Sequence, residues 1–271
     1  MPEKITIEGK HARFCNGSGE DLVVGIDQFS QDIAENTIQG LFPEPMADNE
    51  KWRVPCGRAS ISVVELKPEL RWIKWLAPDS PAPYGSKATY VERELATPYV
   101  VLVVPFNNNR VLPRVEAFYR NAPLESPDDP GGELYWPNLL NVSPNAYGCT
   151  AWFCTQYLKR TSIKPSITAG LNAVIHHLFG GTFNASSEAH EGNSTWSQCV
   201  TDKVDPRVTD VERWQDESRK DPNFVLSVKW KPAGVTVRNV VESAMRALRV
   251  APAPDSAEAL GNLLLRKRKP R

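Results

Sequence analysis

The stretch TPYVVLVVPF, Thr97 to Phe106, is rich in β-branched residues, and its apolar positions run on without the alternation of a half-exposed strand. That pattern predicts a buried strand at the centre of a sheet. The run from Tyr99 to Phe106 is also the longest strongly apolar one in the chain, and it falls far below the roughly 20 residues a membrane span needs. Asn107, Asn108 and Asn109 follow it as a turn. After them comes VLPRVEAFYRNAPL, with Val115, Phe118 and Tyr119 apolar; its form stays open, because Pro113 suits either a helix start or a strand edge. SPDDPGG reads as a loop, and ELYWPNLLNV leads into NVSPNAYGCTAWFC, Asn141 to Cys154.

Upstream, ASISVVELKPELRWIKWL predicts strands on either side of Pro68, with Trp52, Trp72 and Trp75 around them. APDSPAPYGS is a loop, and residues 1–60 carry short β-like runs (KITIEG, LVVGI) separated by turn signals. Downstream, PSITAGLNAVIHHLFGG predicts a helix with Ile167, Leu171, Val174, Ile175 and Leu178 on one stripe and Gly180-Gly181 as its stop. The polar stretch TFNASSEAHEGNSTWSQCVTDKVDPRV reads as a long surface loop. DVERWQDESRKDP reads as a short helix, FVLSVKW as a short strand and TVRNVVESAMRALRV as a final helix. Residues 251–271 end in RKRKPR and read as a flexible basic tail.

In 271 residues, Lys plus Arg and Asp plus Glu both total 32, so no global field draws the chain to nucleic acid or an anionic membrane. The N-terminus lacks an apolar signal-peptide core, and the five irregularly spaced cysteines suit a reducing compartment better than a disulfide framework. A cytoplasmic protein with free thiols is therefore expected.

Among those thiols, Cys149 is the candidate nucleophile. It follows Pro144-Asn145 and Gly148, in irregular backbone that can present a thiol to a large partner. The run PYVVLVVPF through FYRNAPLESPDDPGGELYWPNLLNVSPNAYGC resembles the E2-like (ubiquitin-conjugating-enzyme-like) proteins of bacteria, prokaryotic E2 family D, a group found in PRTRC plasmid cassettes. Those enzymes place an asparagine eight residues before the thioester-forming cysteine, as Asn141 stands before Cys149. Leu139-Leu140 replaces the His-Pro that precedes this asparagine in the eukaryotic signature. Gly148 stands where an aliphatic residue is usual, and Ala146 where glycine is common. The resemblance covers roughly residues 60–235.

The resemblance implies an α+β chain with an E2-like antiparallel sheet and packed helices over residues 61–250, after a β-rich N-terminal extension. It implies a carrier that takes a ubiquitin-like protein from an E1/ThiF-like activating enzyme as a thioester on Cys149. Asn141 would help with the oxyanion, a JAB-type peptidase would share the pathway, and no cofactor or metal would be needed. A thiolate is both nucleophile and leaving group, which is what acyl relay demands. An amide donor beside the tetrahedral intermediate is worth on the order of 100-fold in rate.

Other readings stay open. The same fold could be a non-catalytic scaffold or interaction module, with Cys149 a core residue and Asn141 bonding its own backbone. A cysteine hydrolase could use His176 or His190 as base. Cys154, between aromatic residues, is read as buried. Adjacent His176 and His177 point about 100° apart on a helix and suit a shared metal poorly. Asp128-Asp129, between prolines, read as loop residues, and Gly131-Gly132 lacks the lysine and helix of a phosphate loop.

Overall fold

A computed structural model of the chain describes residues 4–8, 11–15, 21–25, 46–56, 59–83, 85–126, 133–155, 158, 166–183 and 194–248. Asp128, Asp129, Gly131, Gly132, Pro165, His190 and the tail from 251 lie outside the described residues. The chain divides into two compact units, Met1–Glu44 with Pro55–Arg58 and Val250–Arg271, and Pro45–Val54 with Ala59–Arg249. The first contains an antiparallel sheet of β1 (Lys4–Glu8), β2 (His11–Cys15) and β3 (Asp21–Gly25) in sequence order.

The strands of the main sheet are β4 (Glu50–Cys56), β5 (Ala59–Leu66), β8 (Tyr99–Asn107), β9 (Arg110–Val111), β10 (Glu116–Arg120), β11 (Val142–Pro144) and β12 (Ala151–Phe153). The sheet belongs to the second unit, apart from Pro55 and Cys56 at the end of β4, which are counted with the first. The order is β11-β12-β10-β8-β5-β4, with β9 folded back on the end of β8. β8 lies inside this sheet, as its sequence requires: Val100 to Phe106 are all buried, between β5 and β10. Pro105 is tolerated because β10 has left the ladder by then, its last pair being Glu116 with Val103, and the Pro105 carbonyl still accepts from the Leu112 amide at 2.8 Å. Asn108 and Asn109 make the predicted turn with φ of 48° and 59°, a left-handed conformation that asparagine accepts. The open question over VLPRVEAFYRNAPL resolves as strand, since β10 pairs with β8 from Glu116 to Arg120.

The strand predicted after Pro68 is β6 (Glu69–Leu76), but it leaves the main sheet to pair with β7 (Tyr90–Thr97) and, in parallel, with β13 (Thr182–Phe183). Helix α1 (Ile167–Gly180) begins at Ser166, whose hydroxyl accepts from the Ala169 amide, and it buries Ile167, Leu171, Val174, Leu178 and Phe179. It comes so close to the end of β8 that a Cβ on Gly170 would lie 2.7 Å from the Phe106 ring, which is why glycine stands there.

Two expectations are corrected. The segment read as a surface loop contributes β13 and helix α2 (Thr195–Thr201), which is capped by Ser194 and buries Cys199. Serine, threonine and asparagine made that segment look unstructured, yet the same residue types are the ones that start helices. FVLSVKW is no strand: Pro222–Ser227 forms a 3-10 helix, opened by the Asp221 carboxylate accepting from the Asn223 amide. Phe224, Val225 and Val228 are buried together, at helical rather than alternating spacing.

The predicted helices α3 (Val211–Lys220) and α4 (Val237–Ala247) are present. Trp214 on α3 is fully buried, donates to the Ala96 carbonyl at 3.0 Å and joins a file of rings running Trp75, Trp196, Trp214, Trp230, Tyr119. The unit is thus α+β, with antiparallel pairing across the main sheet from β11 to β5. Among the described residues no helix is long and apolar enough to cross a membrane.

Candidate functional site

Strand β10 and the residues just before it alternate, so Arg114 and Glu116 share one side while Val115 and Ala117 face the other. Beyond β10 stand β12 and β11, a short hairpin with Pro144 opposite Ala151 and Val142 opposite Phe153. Cys149 sits in the turn of that hairpin. The turn is closed by the Asn145 amide on the Thr150 carbonyl (3.0 Å) and the Cys149 amide on the Ala146 carbonyl (2.9 Å). Three residues in it are left-handed: Asn145, Tyr147 and Gly148, with φ of 52°, 53° and 72°.

That conformation explains the departure at Gly148. At φ 72° a side chain is strained, and a Cβ there would stand 3.3 Å from both terminal nitrogens of Arg114. Arg114 Nη2 uses the space to donate to the Gly148 carbonyl at 2.7 Å. Tyr147 is 65% exposed and packs its ring on Trp152 at 4.6 Å, while the Trp152 indole donates to the Pro113 carbonyl at 2.8 Å.

Inside the turn, Glu116 Oε2 accepts from the amides of Thr150 (2.7 Å) and Ala151 (3.1 Å). Arg114 on the Gly148 carbonyl and Glu116 on the Thr150 amide thus hold the backbone on either side of Cys149, and both charges act on its thiol. Burial raises the Glu116 pKa above its ordinary value, against the two amides, Arg114 and the thiol. Cys149 is only 3% exposed; burial, reinforced by the Glu116 charge and opposed by Arg114, pushes its thiol up to about 12. At pH 7 roughly one thiol in 10^5 would then be ionised by loss of its proton to water.

Asn141 is not beside Cys149. It stands at the open end of the hairpin, where its carbonyl accepts from the Cys154 amide at 3.3 Å. The strand Val142–Pro144 puts about 10 Å of backbone between it and the turn, at about 3.3 Å per residue. Its side-chain amide donates to the Leu178 carbonyl at 3.1 Å, satisfying one of the last carbonyls of α1. Its Oδ1 is buried without a partner among the described residues. Eight residues in a chain that doubles back set the two positions at opposite ends of a hairpin.

Cys154 is half-buried rather than buried. The histidine near it is His177, not His176: the His177 ring packs on Phe153 at 5.5 Å, and burial lowers its pKa against a bond to the Cys154 backbone. His176 is exposed, in keeping with its place opposite the apolar stripe.

Sequence reasoning singled out Cys149 but missed Glu116 and Arg114. The signal was present as Arg114-Val115-Glu116-Ala117-Phe118, where an alternating pattern puts both charges on one side once the segment is taken as strand. No family model, curated protein or solved structure matches this chain.

Proposed function

We propose that the chain is an E2-like carrier that accepts a ubiquitin-like protein on Cys149 as a thioester from an E1/ThiF-like activating enzyme and passes it onward, in a cytoplasmic pathway shared with a JAB-type peptidase. The observation that carries this reading is the setting of Cys149 in a hairpin turn, on the outermost strands of the main sheet, against the buried Glu116 carboxylate and the Arg114 guanidinium. A core cysteine needs neither charge. A thiol used as a nucleophile is served by both, because charged neighbours govern how readily it gives up its proton.

Support also comes from the antiparallel pairing of the main sheet and the helices packed near it, the α+β arrangement that the E2-like resemblance implies. In this reading Asn141 acts by pinning the open end of the cysteine hairpin to the end of α1, rather than by touching the acyl group. The purified chain, incubated with its activator, a ubiquitin-like protein and ATP, should give an adduct cleaved by excess thiol. Cys149→Ala should abolish it and Cys154→Ala should leave it. An adduct that survives Cys149→Ala sinks the proposal, and no adduct at all returns Cys149 to a scaffold.

A further inference from the structure

The carrier reading leaves one chemical need unmet: something must take the proton from a thiol that is only 3% exposed. We infer that Glu116 is the proton acceptor for Cys149 and that Arg114 holds the thiolate so formed. The inference rests on the proposed carrier function for its purpose, but on the turn itself for its argument.

Glu116 is itself 3% exposed, on the strand next to the hairpin, and its Oε2 is held at 2.7 Å and 3.1 Å by two backbone amides. Those amides fix where the carboxylate stands, so the thiol beside it meets an oxygen that cannot swing away. Tying the hairpin to β10 needs only an acceptor, and a neutral glutamine would do that without burying a charge. A buried carboxylate that also meets a thiol and faces a guanidinium fits proton transfer better than it fits anchoring alone.

The charged groups acting on the thiol are Glu116 from β10 and Arg114 just before it; the hairpin contributes backbone amides and carbonyls. In the step itself the Sγ–H bond breaks, the proton moves to the Glu116 carboxylate, and the electron pair stays on sulfur beside Arg114. The thiolate attacks the carbonyl carbon of the incoming thioester. The new C–S bond forms as the old one breaks, and the departing sulfur takes the proton back from the Glu116 carboxylic acid. No net charge is created in the site, which suits a thiol and a carboxylate that are each 3% exposed.

Moving the proton within the pair, rather than to solvent, has a signature. The fraction ionised by transfer to Glu116 does not change with pH between the two groups' pKa values, so reactivity stays flat wherever that fraction exceeds the thiol ionised to water, which gains tenfold per pH unit. The test is the rate at which iodoacetamide, an uncharged reagent, labels Cys149 in the folded chain from pH 7 to 9, with the site mapped by mass spectrometry. In the unsubstituted chain the rate should stay within about twofold. In Glu116→Gln, which keeps the acceptor for Thr150 and Ala151, it should rise about tenfold per unit. Arg114→Gln should stay flat at a plateau lowered several-fold.

A tenfold rise per unit in the unsubstituted chain overturns the inference, and so does a Cys149 that stays unlabelled throughout. An unchanged plateau in Arg114→Gln removes Arg114 from it. If Glu116→Gln does not fold, the slope of the unsubstituted chain decides alone. Because labelling needs no activating enzyme, a flat profile with no thioester adduct would refute the carrier function and keep the proton pair, while an adduct with a tenfold slope would do the reverse.

Discussion

Gly148→Ala tests the turn on which the candidate site depends. The glycine has φ of 72°, and a non-glycine residue in that left-handed region costs about 1–2 kcal/mol. Alanine also loses less chain entropy on folding, which returns about 0.4–1 kcal/mol. The larger effect is steric. The new Cβ would stand 3.3 Å from Nη1 and Nη2 of Arg114, so the guanidinium must retreat and its 2.7 Å bond to the Gly148 carbonyl must lengthen.

A hydrogen bond to a charged group is worth about 1.5–3 kcal/mol, and the low end applies to a half-buried arginine. Losing part of it brings the expected destabilisation to about 1–3 kcal/mol, read by urea unfolding at pH 7. Gly148→Asn carries the same Cβ, but asparagine accepts the left-handed region, so it should be milder than alanine by about 0.5–1 kcal/mol. Equal losses in both variants would show that backbone strain is not the cause. An alanine variant within about 0.5 kcal/mol of the parent refutes the account of the turn, and with it the reason given for a glycine before the cysteine.

Two further outcomes follow from the same geometry. Asn141→Ala removes the bond to the Leu178 carbonyl and should cost about 1 kcal/mol in urea unfolding while slowing thioester formation less than tenfold; a loss of 100-fold or more would restore it as an oxyanion donor. Cys149 and Cys199 both have thiols pushed up to about 12, chiefly by burial, so the folded chain holds these protons more tightly than the unfolded chain does. Their contribution is complete below about pH 8.5, the free thiol value, and is lost as pH rises toward about 12, at about 1.4 kcal/mol per pH unit for each. Replacing both with alanine should flatten that alkaline limb in unfolding monitored by circular dichroism; an unchanged limb would mean that the thiols are not what carries it.

The sequence by itself determined where local pattern and global fold agree. An unbroken run of β-branched residues favours an interior strand, and Tyr99 to Phe106 stands at the heart of the main sheet, while Thr97 before it ends β7. A 3.6-residue apolar stripe closed by Gly180-Gly181 predicts a helix, and Ile167 to Gly180 forms one. Cys149 stood out because glycine, proline and asparagine gather around it, and those residues make turns whatever surrounds them.

Tertiary structure decided the rest. Glu116 and Arg114 come from a strand more than 30 residues away in the chain, and no spacing rule ties a carboxylate to a thiol across a sheet. The eight residues from Asn141 to Cys149 looked like proximity, but the chain between them is a strand that runs out and turns, so the interval measures a length instead. Phe224 to Trp230 has strand composition, yet Asp221 as cap and Pro222 after it wind Pro222–Ser227 into a 3-10 helix, and Trp230 beyond it packs on Trp214 in the ring file. Backbone pattern is local, so it can be read along the chain; which side chains meet depends on strand order and register, which local pattern does not contain.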